Sequence, residues 1–194
     1  MKKSIKIATL GVAALGFAAA PVLGASAADQ LSPITDTVTV TINSACSLSG
    51  TGATPTETMT NNQLKSDFAG STLTIKCNDA KGWHLTAVGA GDDATTKTAM
   101  NATGTGTDIA TGTATSGETS NWAFKVAGDK AEEGYKSFMA IPSTATDVAS
   151  DTGAAVGVET GTTITSTYQV WISDTQQADT YTGKVTYTLA HPKA

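Results

Sequence analysis

Apolar and polar residues alternate with a period of two along most of this chain. Val38, Val40 and Ile42 alternate with threonines from Asp36 to Ile42. Leu73, Ile75 and Cys77 alternate with Thr72, Thr74 and Lys76, and Trp83, Leu85 and Ala87 with His84, Thr86 and Val88. Trp122, Phe124 and Val126 form a fourth run, Tyr168, Val170 and Ile172 a fifth, and Val185, Tyr187 and Leu189 a sixth. Side chains of a strand point alternately to its two faces, so this period predicts half-buried antiparallel strands. One buried face per strand is most economically covered by a second sheet, which predicts an all-β fold, an antiparallel β-sandwich of Ig-like type. Nearly a fifth of the residues are threonine. Its branched Cβ suits the pleat and its hydroxyl suits water.

Helical signals are few. Asn61 to Phe68 offers one or two turns, with Leu64 and Phe68 at an i, i+4 spacing. Ala127 to Tyr135 is a second candidate, but Gly128 and Gly134 favour a loop. Gly89 to Ser120 is rich in small and polar residues. Long structureless loops are uncommon in compact domains, which favours short strands around Thr98 to Thr113. Ser143 to Thr163 has similar composition and the same expectation.

The first residues change the picture of where the protein works. Lys2, Lys3 and Lys6 precede an apolar stretch from Ile7 to Ala20, and Ala25-Ser26-Ala27 follows. That is the layout of a secretory signal peptide over residues 1–27 with cleavage after Ala27, leaving 28–194 as a single surface domain. Neither a Leu-Pro-x-Thr-Gly sequence nor a cysteine after the apolar run is present. Covalent wall attachment and lipidation are therefore not expected, and neither is membrane insertion once the signal is removed. In an exported chain the only two cysteines, Cys46 and Cys77, are expected to pair. Closing that loop would stabilise the fold by about 3–4 kcal/mol.

The formal charge is −5, with 12 Lys plus Arg against 17 Asp plus Glu. The chain contains no arginine, and without a basic patch a nucleic-acid partner is not expected. Catalysis is poorly supplied. The two histidines are His84, expected on the solvent face of a strand, and His191 near the end; Asp79 is the one local acid for His84. Asp92 and Asp93 could offer oxygens to calcium, but turns use aspartate for their own backbone, so no metal and no cofactor are expected. The larger aromatics carry more promise. Trp171 is out of phase with Tyr168, Val170 and Ile172, so it should face away from the core as a stacking platform. Trp83, Leu85, Tyr181 and Tyr187 are the other candidate contacts, with core packing as the competing reading.

Two of these segments carry a resemblance. Trp83-His84-Leu85, followed by Tyr181-Thr182-Gly183-Lys184-Val185-Thr186-Tyr187-Thr188-Leu189 and then Pro192, resembles the WxL domain of Gram-positive bacterial surface proteins. Tyr187 stands where that pattern usually has Trp, and two residues rather than three separate Leu189 from Pro192. The resemblance implies a non-enzymatic surface protein held non-covalently to peptidoglycan or to neighbouring surface proteins. It also implies that the Trp83–Leu85 segment and the last strand lie side by side. A weaker resemblance, in the Cys46…Cys77 spacing and the terminal Tyr-rich strand, is to chaperone–usher pilins and spore-coat-type sandwiches. It implies a structural subunit, a homo-oligomer in which Asp36 to Ile42 adds as a strand to a neighbour.

Overall fold

The computed structural model describes residues 37–59, 65–113, 119–152 and 161–191. Strands dominate it: β1 (Cys46–Thr51), β2 (Lys65–Cys77), β3 (Trp83–Gly89), β4 (Asn101–Ala102), β5 (Ala110–Thr111), β6 (Asn121–Ala127), β7 (Thr146–Asp151), β8 (Thr162–Trp171), β9 (Tyr181–Thr182) and β10 (Val185–Ala190). The larger sheet has the order β1-β2-β8-β6-β5, the smaller the order β10-β3-β7, and β4 pairs with β9 alone. All pairings are antiparallel except β5 with β6.

The alternation explains how the sheets stack. Leu73, Ile75 and Cys77 of β2, Ile164 and Val170 of β8, and Trp122, Phe124 and Val126 of β6 are buried from one side. Trp83, Leu85 and Ala87 of β3 and Val148 of β7 belong to the same apolar cluster and close it from the other. Across the middle, the Tyr168 and Tyr187 hydroxyls meet at 3.2 Å, tying β8 of one sheet to β10 of the other. The expected all-β sandwich is the observed one. Gly82 makes the tight turn into β3, with φ of 84° and the Asp151 carbonyl 1.8 Å from where a Cβ would sit. No other residue type fits that turn.

Cys46 and Cys77 are disulfide-bonded directly across the β1–β2 ladder. The edges of the sheets differ. Along the outer side of β7 the Lys130–Glu132 backbone runs as a partner, with Ser150 N–H donating to Lys130 O and Glu132 N–H to Val148 O. Among the described residues no strand pairs with the outer edge of β10 or of β1.

Several expectations are corrected. Thr37 to Ile42 forms no strand and pairs with none among the described residues, and Val38, Val40 and Ile42 are 84, 76 and 81% exposed. Asp36 lies outside the described residues. Phe68, expected on a helix, is in β2 opposite Tyr168, because the same residues also alternate at period two once β8 is beside them; residues 61–64 lie outside the described ones. The candidate at Ala127–Tyr135 keeps only one 3-10 turn, Glu133–Tyr135, since Gly128 takes a φ of 145°. Thr98 to Thr113 does contain two short strands, β4 and β5. Thr146–Asp151, inside a stretch expected to give short strands only, forms a full edge strand, β7, of the smaller sheet.

Candidate functional site

Trp171 ends β8, and strand parity sends it away from the core, opposite in direction to buried Val170. Strand register then decides its neighbours. Lys65 of β2 and Asn121 of β6 lie directly opposite it on either side. One step along, Asp67 and Ala123 flank Gln169 in the same way. Because i and i+2 share a face, these side chains form one patch on the outer surface of the larger sheet.

Hydrogen bonds hold the patch in place. The Trp171 indole N–H donates to Gln169 Oε1 at 2.9 Å, and Gln169 Nε2 donates to Asp67 Oδ1 at 2.7 Å. Both ends of the Gln169 amide are thereby used, which fits its 4% exposure. The Lys65 ammonium sits 5.4 Å from the Trp171 ring centroid and 3.9 Å from Asp67 Oδ1. A cation over an indole face is attracted by the ring quadrupole. Trp171 itself is half-buried. Asn121 Oδ1, in register beside it, is a buried acceptor without a protein partner. A pinned indole flanked by a cation, a carboxylate and amide groups can stack on the C–H face of a sugar ring and bond its polar rim.

The other candidates fall elsewhere. Trp83 and Leu85 are 3% and 0% exposed and pack inside the sandwich on β3. Their neighbour across the ladder is β10, with Leu85 opposite Leu189 and Ala87 opposite Tyr187. The Trp83–Leu85 segment and the last strand thus lie side by side, with Trp83 and Leu85 turned inward. Tyr187 also points inward and is partly buried. Burial pushes its phenol pKa well above the usual tyrosine value, and the nearby Tyr168 phenol adds to the shift. Tyr181 belongs to the β4–β9 corner: its hydroxyl donates to Gln177 O at 2.6 Å and accepts from Gln176 Nε2 at 2.7 Å. Ala27 lies outside the described residues.

That corner is organised by Asp179, which nothing in the alternation singled out. Its carboxylate accepts the backbone N–H of Gly106 at 2.9 Å and of Gly104 at 3.0 Å, and the Thr103 hydroxyl at 3.2 Å. The Gly106 and Thr180 N–H groups are the main cause of its lowered pKa. It fixes the loop rather than awaiting a ligand.

His84 faces the outer side of the smaller sheet, where Nδ1 lies 2.7 Å from Asp147 Oδ1. Its acid partner is therefore Asp147 on the adjacent strand; Asp79, the acid expected for it, instead lies 3.5 Å from His191 Nδ1. Sequence distance hid the first pair, since 63 residues separate its members. Asp92 pairs with Lys184, and Asp93 accepts from the Thr95 hydroxyl and N–H, so both turn carboxylates are engaged locally. Among the described residues no group of three or more His, Cys, Asp or Glu is placed to hold a metal ion. Searches against family models, curated proteins and solved structures find no match to this chain.

Proposed function

We propose that this is an exported, non-enzymatic surface protein that attaches non-covalently to the peptidoglycan of the cell wall. The observation that carries the reading is the Trp171 patch. It presents a half-buried indole of fixed orientation on the outer face of the larger sheet, with Lys65 beside it to meet the carboxylates of wall peptides. Stacking on a sugar needs a flat apolar surface and a few polar groups rather than a deep cleft. The pairing of Trp83-His84-Leu85 with β10 supports the kinship to wall-binding surface domains. Trp83 and Leu85 are buried in the core, so this reading takes Trp171 as the contact.

The test is co-sedimentation of the purified exported protein with insoluble peptidoglycan. The native protein is expected in the pellet and Trp171→Ala in the supernatant, with unchanged circular dichroism. Full recovery of folded native protein in the supernatant would end the wall-binding reading. A second reading, a structural subunit that assembles by strand addition, is favoured by one observation: Val38, Val40 and Ile42 alternate with threonines and are all exposed.

A further inference from the structure

A second lysine lies on the same outer face as Trp171 and makes the same kind of contact. Phe124 and Val126 of β6 are buried, so Lys125 between them is turned outward. Met139 runs beside β6 as an antiparallel bridge to Phe124. The Phe124 N–H donates to Met139 O at 3.0 Å and the Met139 N–H to Phe124 O at 2.8 Å. That register puts Phe138 directly across from Lys125, and residues opposite each other share a face. The Lys125 ammonium accordingly sits 4.7 Å from the Phe138 ring centroid. Phe138 is half-buried, as Trp171 is, so each ring keeps part of its surface open to solvent.

The two aromatic–lysine pairs belong to one surface. Asn121 faces Trp171 across the β6–β8 ladder and Lys125 faces Thr167, so the pairs are four residues apart along these strands. At about 3.3 Å per residue that is roughly 13 Å, and two strand spacings of about 4.8 Å put the rings roughly 16 Å apart. Between them lie Gln169, Ala123 and Thr167, with no charge among them. Other outward lysines hold carboxylates: Lys65 has Asp67 at 3.9 Å and Lys130 has Asp151 at 3.1 Å. No carboxylate pairs with Lys125 among the described residues, and its ammonium is held over a ring instead. An ammonium so placed keeps hydrogens to donate to an incoming acid. A single sugar ring reaches only one of the two pairs. A polymer with repeating flat faces and repeating acid groups reaches both.

We infer that Lys125 and Phe138 form a second subsite of the Trp171 surface, which takes a linear, carboxylate-bearing glycan in extended form. One ring of the chain stacks on the indole and a later one on the phenyl, while Lys65 and Lys125 meet acid groups carried by the chain. This rests on the wall-binding reading and adds to it which part of the wall is gripped, the glycan strand, and at how many points. Two weak subsites on one sheet act as a linked pair, because filling the first raises the effective concentration at the second.

Binding measured against chain length tests it. The probes are wall glycan strands stripped of their peptides and sorted by length, titrated into the purified exported protein and followed by calorimetry. Native protein is expected to bind long strands about tenfold tighter than short ones. Lys125→Gln keeps the side-chain stem over Phe138 and removes the charge. It should abolish most of that gain and leave short-strand binding as it was. Phe138→Leu should do the same with unchanged circular dichroism, and Lys125→Gln decides alone where Phe138→Leu does not fold. A neutral N-acetylglucosamine chain of matched length should bind native protein less tightly, by a margin that shrinks in Lys125→Gln and at high salt. Affinity independent of strand length, with both variants equal to native and Trp171→Ala still defective, would overturn the second subsite and leave the Trp171 reading standing. Equal binding of neutral and acidic chains would overturn the carboxylate requirement. Native protein that pellets with intact wall yet binds no stripped strand would overturn the glycan as partner. Failure to pellet with intact wall would sink the wall-binding reading itself.

Discussion

Reducing Cys46–Cys77 perturbs the unfolded chain more than the folded one. The two residues are 31 apart in sequence and already opposite each other in the β1–β2 ladder. In the chain-entropy account, a loop of this length removes about 12 cal/mol/K from the unfolded ensemble, or about 3.7 kcal/mol at room temperature. For a protein of this size each kcal/mol moves Tm by about 2–4 °C, so reduction should lower Tm by about 7–15 °C. Urea unfolding of oxidised and reduced protein, compared at the same pH, measures the difference directly. The m-value should rise on reduction, because the uncrosslinked unfolded chain exposes more surface. A Cys46→Ala/Cys77→Ala variant should lose somewhat more than reduction alone, since Cys77 is 4% exposed and alanine leaves space behind it. A reduced protein whose stability lies within about 1 kcal/mol of the oxidised one, with an unchanged m-value, would refute the loop-closure account.

Leu85→Ala removes a side chain with 0% exposure and should cost about 2–5 kcal/mol by denaturant unfolding. Trp171→Ala should cost less than about 1 kcal/mol while abolishing wall co-sedimentation, which separates contact from core. Tyr168 and Tyr187 both have raised pKa values, chiefly through burial, so the unfolded state releases their protons first as pH rises. Their contribution is whole below the ordinary tyrosine pKa of 10.0 and declines above it. A Tyr168→Phe/Tyr187→Phe variant should therefore show a shallower loss of stability above that pH. Asp179 is shifted the other way, so its contribution is present above 3.8 and fades as pH falls through its lowered value. Asp179→Asn should lose amide protection at Gly104 and Gly106 at neutral pH, and hydrogen exchange would show whether it does.

The strands that carry large residues were legible because burial on one face leaves a period of two. Leu73–Cys77, Trp83–Ala87, Trp122–Val126 and Val185–Leu189 all sit where alternation put them. β7 was not legible, because Thr146–Asp151 buries only Val148 and Ala149, and small residues leave too faint a pattern. Parity also placed Trp171 outward. It said nothing of Lys65, Asp67 or Asn121, whose position beside Trp171 depends on register between strands far apart in the chain. The Gln169–Asp67 bond spans 102 residues and the His84–Asp147 pair 63. Thr37–Ile42 reads as a strand by pattern yet pairs with no strand among the described residues.

The placement of the disulfide has a mechanical consequence. Cys46 is the first residue of β1, so tension drawn through the preceding residues meets the hydrogen bonds of Asn43 and Ala45 to Asn78 and then the disulfide, its first covalent link into the sandwich. The load passes by covalent bond to the end of β2, the longest strand, which is laced to β8 along its length. An edge strand pulled from its end would ordinarily peel off one hydrogen bond at a time. Anchored in this way, β1 is bypassed, and a pulling force must instead shear β2 against its neighbour, with many bonds resisting together.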